Sequence, residues 1–203
     1  MIIFINGMHF NGILKRKKGG TKNYWSMGDG GNFAQSVMDH LGDHNPKYID
    51  GSQGGIINTI LSIIARDVRD CNLNPFMRRR RGRKIANSIF KEVRAAINNK
   101  ETIKIITHSM GAEFAKGLLE QLVIQCSKYG IAAKDVIEFE ADFAPFLPEI
   151  QSAVEGIPTY QFSHSEDIWA WNHKINGAIK VDTSEDICQG HGVGTFFNQI
   201  KKL

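Results

Sequence analysis

The residues from Ile103 to Gly117, IKIITHSMGAEFAKG, join an apolar β-branched run to a helical one through Thr107-His-Ser-Met-Gly111. A serine on a strand-to-helix turn of this kind is held in a strained backbone with its oxygen exposed. It needs a small residue two positions on, where strand and helix nearly touch. Gly111 supplies that residue, while Thr107 stands where the pattern usually has a first glycine. Ser109 is therefore the candidate nucleophile, against the plainer reading of a serine that caps the following helix.

A free serine hydroxyl is a weak nucleophile, so a histidine must take its proton and a carboxylate must hold that histidine in the right tautomer. The chain has seven histidines. His9 and His44 fall in early loops and His40 in a short helix. His108 is inside the turn with its ring expected to point away from Ser109, and His164 and His173 flank an acidic segment. His191, in Gln189-Gly-His-Gly-Val-Gly194, lies on a glycine-rich loop late in the chain and is the chosen base. Asp167, which follows the strand-like TYQFS segment, is the preferred acid, with Asp142 in FEADFAP left as the alternative. The order serine, acid, histidine fits one known arrangement of such triads. Two backbone amides are needed for the developing oxyanion. Met110 follows the serine, and Met8 follows the first strand with Gly7 allowing close approach.

These residues need a sheet edge to stand on. Met1 to Ile5 reads as a buried strand ended by Asn6-Gly7, and TIKIIT (102–107), VIEFE (136–140) and TYQFS (159–163) read as three more. The spacing predicts amphipathic helices over 55–70 and 83–97, broken at Asn74-Pro75, a helix over 110–129, a short one over 32–41 and a last one over 193–201. Residues 174–181 read as weak strand or turn. Strands alternating with helices imply an α/β fold with a minimal, mainly parallel sheet and helices on both faces. The expectation is a single domain over 1–203, with 10–81 partly a loop and helix insert, lid-like over the mouth.

At these residues the sequence resembles the α/β-hydrolase fold. IIFINGMH, IITHSMGAEFA, QFSHSEDIWA and His191-Gly with Phe196-Phe197 are similar to the class 3 lipases, in which a strand ending in His-x-x-Asp supplies the acid and a late histidine precedes an aromatic helix. The resemblance covers Thr102 to the end together with Met1 to Met8, and leaves 10–81 without a counterpart. It implies a serine hydrolase of carboxylic esters, lipid-like, acting through an acyl-enzyme and without a cofactor. The same triad would also serve an acyltransferase or amidase, and the scaffold alone could serve as a non-catalytic module that binds a membrane or a partner. More faintly, Tyr24-Trp25, Tyr48-Ile-Asp-Gly-Ser52 and THSMGAEFAKG resemble hydrolase-like C-terminal domains of bacterial Rhs-type toxin proteins. That likeness implies an effector with an immunity protein as partner.

Composition narrows the rest. A net charge of +4 and 42% hydrophobic residues over 203 positions suit a folded chain with a sizeable core and exclude disorder. The charge is segregated: residues 66–100 hold eleven basic and three acidic residues, residues 135–186 two basic and eleven acidic. The run Met77-Arg-Arg-Arg-Arg-Gly-Arg-Lys84 and Lys15–Lys18 could meet an anionic membrane surface, or be merely solvated. Nucleic acid is not expected, since no aromatic residues interleave the arginines. Three scattered cysteines without a paired motif suggest neither disulfide scaffold nor metal site. The opening apolar stretch is too short for a signal peptide. A cytoplasmic location follows for the chain as written, or export within a longer effector.

Overall fold

The computed structural model describes residues 1–7, 20–26, 32–51, 73–167, 169–170, 173–184 and 190–203. The helix expected over 55–70, the Lys15–Lys18 cluster and Met8 lie outside them.

Six strands form one sheet: β1 (Ile2–Asn6), β2 (Pro46–Asp50), β3 (Ile103–His108), β4 (Ile137–Phe143), β5 (Thr159–Phe162) and β6 (Ile179–Val181). Their spatial order is β2-β1-β3-β4-β5-β6, with every neighbouring pair parallel. Parallel neighbours require the chain to return across a face, and the helices that do so cover both sides. Side chains along a strand alternate between faces, and the apolar residues divide accordingly. Ile3, Ile5, Ile103 and Ile105 pack under α3 (Leu73–Asn98) and α4 (Gly111–Lys128), while Ile2, Phe4, Ile106, Phe139 and Phe143 form a second core. Trp25, next to α1 (Gly20–Tyr24), α2 (Phe33–Leu41) and the terminal 3₁₀ helix (Val193–Lys202) complete that second core. One short helix, α5 (Ala133–Val136), leads into β4.

Three elements depart from the sequence expectation. β2 lies in the stretch read as loop. As an edge strand it opens on a proline and buries only Ile49, so it lacks an apolar signature. α3 starts at Leu73, ten residues before the expected Arg83, and carries Pro75 in its first turn, where a missing N–H does no harm. The arginine run is thus helix interior. The last helix is 3₁₀ over 193–202.

α3 and α4 touch through glycines. A Cβ on Gly82 would stand 2.0 Å from the Phe114 carbonyl oxygen, and one on Gly117 1.9 Å from that of Arg79. This approach buries Arg78 and brings Arg79 and Arg83 onto Glu120. Burial pulls the Arg78 guanidinium down to about 10 although the nearby Glu113 charge opposes the shift. Part of the arginine run is therefore spent inside the fold.

Lys116 of α4 is fully buried against β4, its Nζ 2.6 Å from both Glu140 and Asp142. Burial and the Asp142 charge push the Glu140 carboxyl up to about 8, against the pull of Lys116. No helix among the described residues is long and apolar enough to cross a membrane.

Candidate active site

β3 delivers Ser109 to the carboxyl edge of the sheet in a left-handed backbone, φ 55°. That conformation is costly for a residue with a side chain and persists only where neighbours fix it. Here they do: the Ser109 N–H donates to the Phe143 carbonyl (2.9 Å), and the Ser109 carbonyl accepts from Ala112 (3.2 Å) and Phe146 (3.2 Å). Three glycines make room. A Cβ on Gly111 would meet the Ile5 carbonyl oxygen at 2.4 Å, one on Gly51 the Asn6 carbonyl oxygen at 2.4 Å, and one on Gly7 the Ser109 Cβ at 2.6 Å. The ends of β1, β2 and β3 thus close on the turn.

His191 reaches Ser109 from the 190–192 loop. Its Nε2 lies 2.8 Å from the serine Oγ, and its Nδ1 lies 2.9 Å from Asp167 Oδ2 and 3.1 Å from Oδ1. Asp167 also accepts the amides of Trp169 (2.9 Å) and Ala170 (3.2 Å). Burial alone would raise this carboxyl; the bond and charge from His191 and the two amides outweigh it, leaving Asp167 below the usual carboxylate range. The three side chains chosen from sequence are therefore brought into one hydrogen-bonded line. The alternative acid, Asp142, is elsewhere engaged: it accepts from Thr107 Oγ1 and pairs with Lys116 in the interior.

Met110 is the N-cap of α4, so its N–H belongs to the group that a helix leaves without an internal acceptor. The second oxyanion candidate, Met8, lies outside the described residues. Its neighbour Gly7 ends at the turn itself.

Beside the line, Met110, Phe146 and Leu147 form a small apolar cluster. Trp169, 36% exposed, extends it, with its ring 6.1 Å from Phe146 and 6.4 Å from His191. Sequence reasoning did not single out Phe146 or Leu147. Ala144 and Leu147 also adopt positive φ, which shapes this segment around Ser109.

His108 is buried behind the serine, as expected from its place in the turn, but it is not idle. Its Nε2 is 2.6 Å from the His191 carbonyl oxygen, and its Nδ1 meets the Tyr24 hydroxyl. Nothing in the sequence pointed to Tyr24 as its partner. Among the described residues, no group of three or more His, Cys, Asp and Glu is placed to hold a metal ion.

A parallel sheet with a strained serine between a central strand and its helix, followed in the chain by a histidine that reaches the serine and, before it, an aspartate that reaches the histidine, has the architecture of the α/β-hydrolase fold. No family model matches the chain, and no curated protein matches it in sequence. Among solved structures it is similar to a protein of Xanthomonas campestris pv. campestris described as a candidate hydrolase of the alpha/beta superfamily. The two share 13% identity at a TM-score of 0.42, over 99% of this chain and 93% of that one.

Proposed function

We propose that the protein is a serine hydrolase that cleaves a carboxylic ester through an acyl-enzyme. The observation that carries this reading is the continuous line from Ser109 Oγ to His191 Nε2 (2.8 Å) and from His191 Nδ1 to Asp167 (2.9 Å), with the serine in a strained turn. Ser109 Oγ attacks the ester carbonyl carbon while His191 Nε2 takes its proton. Asp167, held ionised, keeps the Nδ1–H tautomer and balances the imidazolium. The Met110 amide, with Met8 as its expected partner, receives the oxyanion. His191 then gives its proton to the departing alcohol, and water attacks the acyl-enzyme by the same route in reverse.

A lipid-like acyl group is supported by the apolar flank of Met110, Phe146, Leu147 and Trp169, beside the hydroxyl that would attack it. The likenesses to class 3 lipases and to Rhs-type C-terminal domains extend the reading to a lipase-like effector with an immunity partner.

Labelling of purified protein with a fluorophosphonate probe tests the reaction class. Wild type should label. Ser109→Ala should not, and both it and His191→Ala should lose on the order of 10⁶ in kcat on an activated ester. Folded wild type that does not label defeats the proposal and turns attention to a binding role for the scaffold.

A further inference from the structure

We infer that His108, oriented by Tyr24, is the positioning residue that holds the backbone of His191 in place for proton transfer; this rests on the serine hydrolase reading above. The carbonyl oxygen of His191 can only accept, so the His108 Nε2 that lies 2.6 Å away must carry the proton. In a neutral ring Nδ1 is then the acceptor, and the Tyr24 hydroxyl donates to it. Tyr24 in turn accepts the Gly7 amide at the end of β1. One chain of donors therefore runs from β1 through α1 and the turn into the His191 loop, and its direction is fixed at every step. Burial and the neighbouring His191 hold the His108 ring down to about 3, so it stays neutral and in one tautomer.

The need for such a hold is visible in the loop. His191 is flanked by Gly190 and Gly192, the residues that order a backbone least. Two side-chain donors serve the three loop carbonyls, the single Thr195 hydroxyl proton being shared between those of Gly190 and Gly192. His108 takes the middle one, and Thr195 Oγ1 lies 3.2 Å from that of Gly190 and 2.7 Å from that of Gly192. His164 Nε2, 3.0 Å from Thr195 Oγ1, backs that hydroxyl, with its ring stacked on Phe196 at 4.2 Å. Of these three carbonyl contacts, the His108 one is made to the residue that must face Ser109, and it holds the backbone of His191 while Asp167 holds the ring. A shift of about 1 Å there can lower the rate about 10²-fold.

Two measurements test the inference. Nitrogen-15 spectra of the histidine rings should show His108 of the wild type neutral, with its proton on Nε2, across pH 5–8; in Tyr24→Phe, which removes the donor to Nδ1 but leaves the His191 carbonyl, the proton should stay on Nε2 while the Nδ1 signal moves to that of a ring nitrogen without a donor. A ring that titrates in this range, or that carries its proton on Nδ1 in the wild type, overturns the inference whether or not the protein hydrolyses esters. Kinetics on an activated ester then separate positioning from packing. His108→Leu should lower kcat about 10²-fold with KM unchanged, and His108→Gln, whose amide can still donate to the His191 carbonyl, should recover most of it. Equal losses in the Leu and Gln variants, or a change confined to KM, overturn the role. If Ser109 of the wild type fails to label while His108 shows the expected tautomer, the hydrolase reading has failed and the donor chain is a feature of the scaffold alone.

Discussion

Gly7 at the end of β1 and Ser109 at the end of β3 approach so closely that a Cβ on Gly7 would stand 2.6 Å from the serine Cβ and 2.9 Å from the His108 carbonyl oxygen. The position next to the strained turn thus tolerates no side chain, and the ends of two neighbouring strands are fitted to one another at the place where the proposed nucleophile stands. Gly7→Ala should displace the turn rather than be absorbed by a flexible neighbour. Overpacking of this kind costs about 1–3 kcal/mol. Urea denaturation should register that loss, and fluorophosphonate labelling of the folded fraction should slow. Labelling at the wild-type rate would show that the turn can move aside without cost to the serine.

Two aspartates compete for the acid role in the sequence, and the structure gives them different work. Asp167 accepts from His191, whereas Asp142 is a buried counter-charge to Lys116. Asp167→Asn presents the imidazole with an amide that can stabilise the wrong tautomer, and kcat should fall about 10⁴-fold while the denaturation midpoint changes little. Asp142→Asn should do the reverse. It removes an ionic partner in the core, costing about 1–3 kcal/mol, and leaves the labelling rate of folded protein near wild type. Reversal of that pattern would move the acid to β4.

The same buried cluster sets the pH dependence of stability. Glu140 is raised from the ordinary carboxyl value to about 8, and Glu113 on α4 to about 7, each chiefly by burial. Between the unfolded and folded values the native state binds more protons than the unfolded chain, so stability falls as pH rises. The contribution is fully present below about pH 4.5 and is lost as pH climbs through about 7 for Glu113 and about 8 for Glu140. Glu140→Gln mimics the protonated carboxyl, keeps an acceptor for Lys116 and leaves Asp142 as the ionic partner. Urea midpoints measured from pH 5 to pH 9 should therefore decline less steeply in this variant than in wild type; parallel declines would mean that Glu140 is ionised in the fold at neutral pH.

What the sequence discloses and what it conceals divide on physical lines. β1 and β3 are buried on both faces, so their apolar runs announce them. β2, at the sheet edge with Pro46, Lys47 and Tyr48 half-buried, has no such pattern. That Ser109, Asp167 and His191 come together in one hydrogen-bonded line was legible because the proton-transfer chemistry proposed for them demands those types in a usable order, and because the turn leaves its mark in Gly111. Tyr24 and His108 were not, since a donor chain depends on where α1 lies against β3 and leaves no spacing to read. Arg78 misleads for a similar reason. A basic run looks solvated until Gly82 and Gly117 let two helices close over it.

The apolar flank yields a prediction about substrate length. Phe146 and Leu147 are almost wholly buried, but Trp169 is 36% exposed, with its ring 6.1 Å from that of Phe146 and 6.4 Å from that of His191. A short acyl chain on Ser109 would sit against Met110 and Phe146, whereas a longer one would reach the indole and cover apolar surface there. Burying such surface contributes about 25 cal/mol per Å². Trp169→Ala should therefore lower kcat/KM for p-nitrophenyl esters of long acyl chains by about tenfold, the equivalent of about 1.4 kcal/mol, and leave the acetate ester nearly unaffected. Because the Trp169 backbone amide donates to Asp167, and that amide survives the substitution, the line from Ser109 to Asp167 should remain intact. A uniform loss across chain lengths would place Trp169 among the groups that orient the acid, and would leave the acyl chain to be held elsewhere.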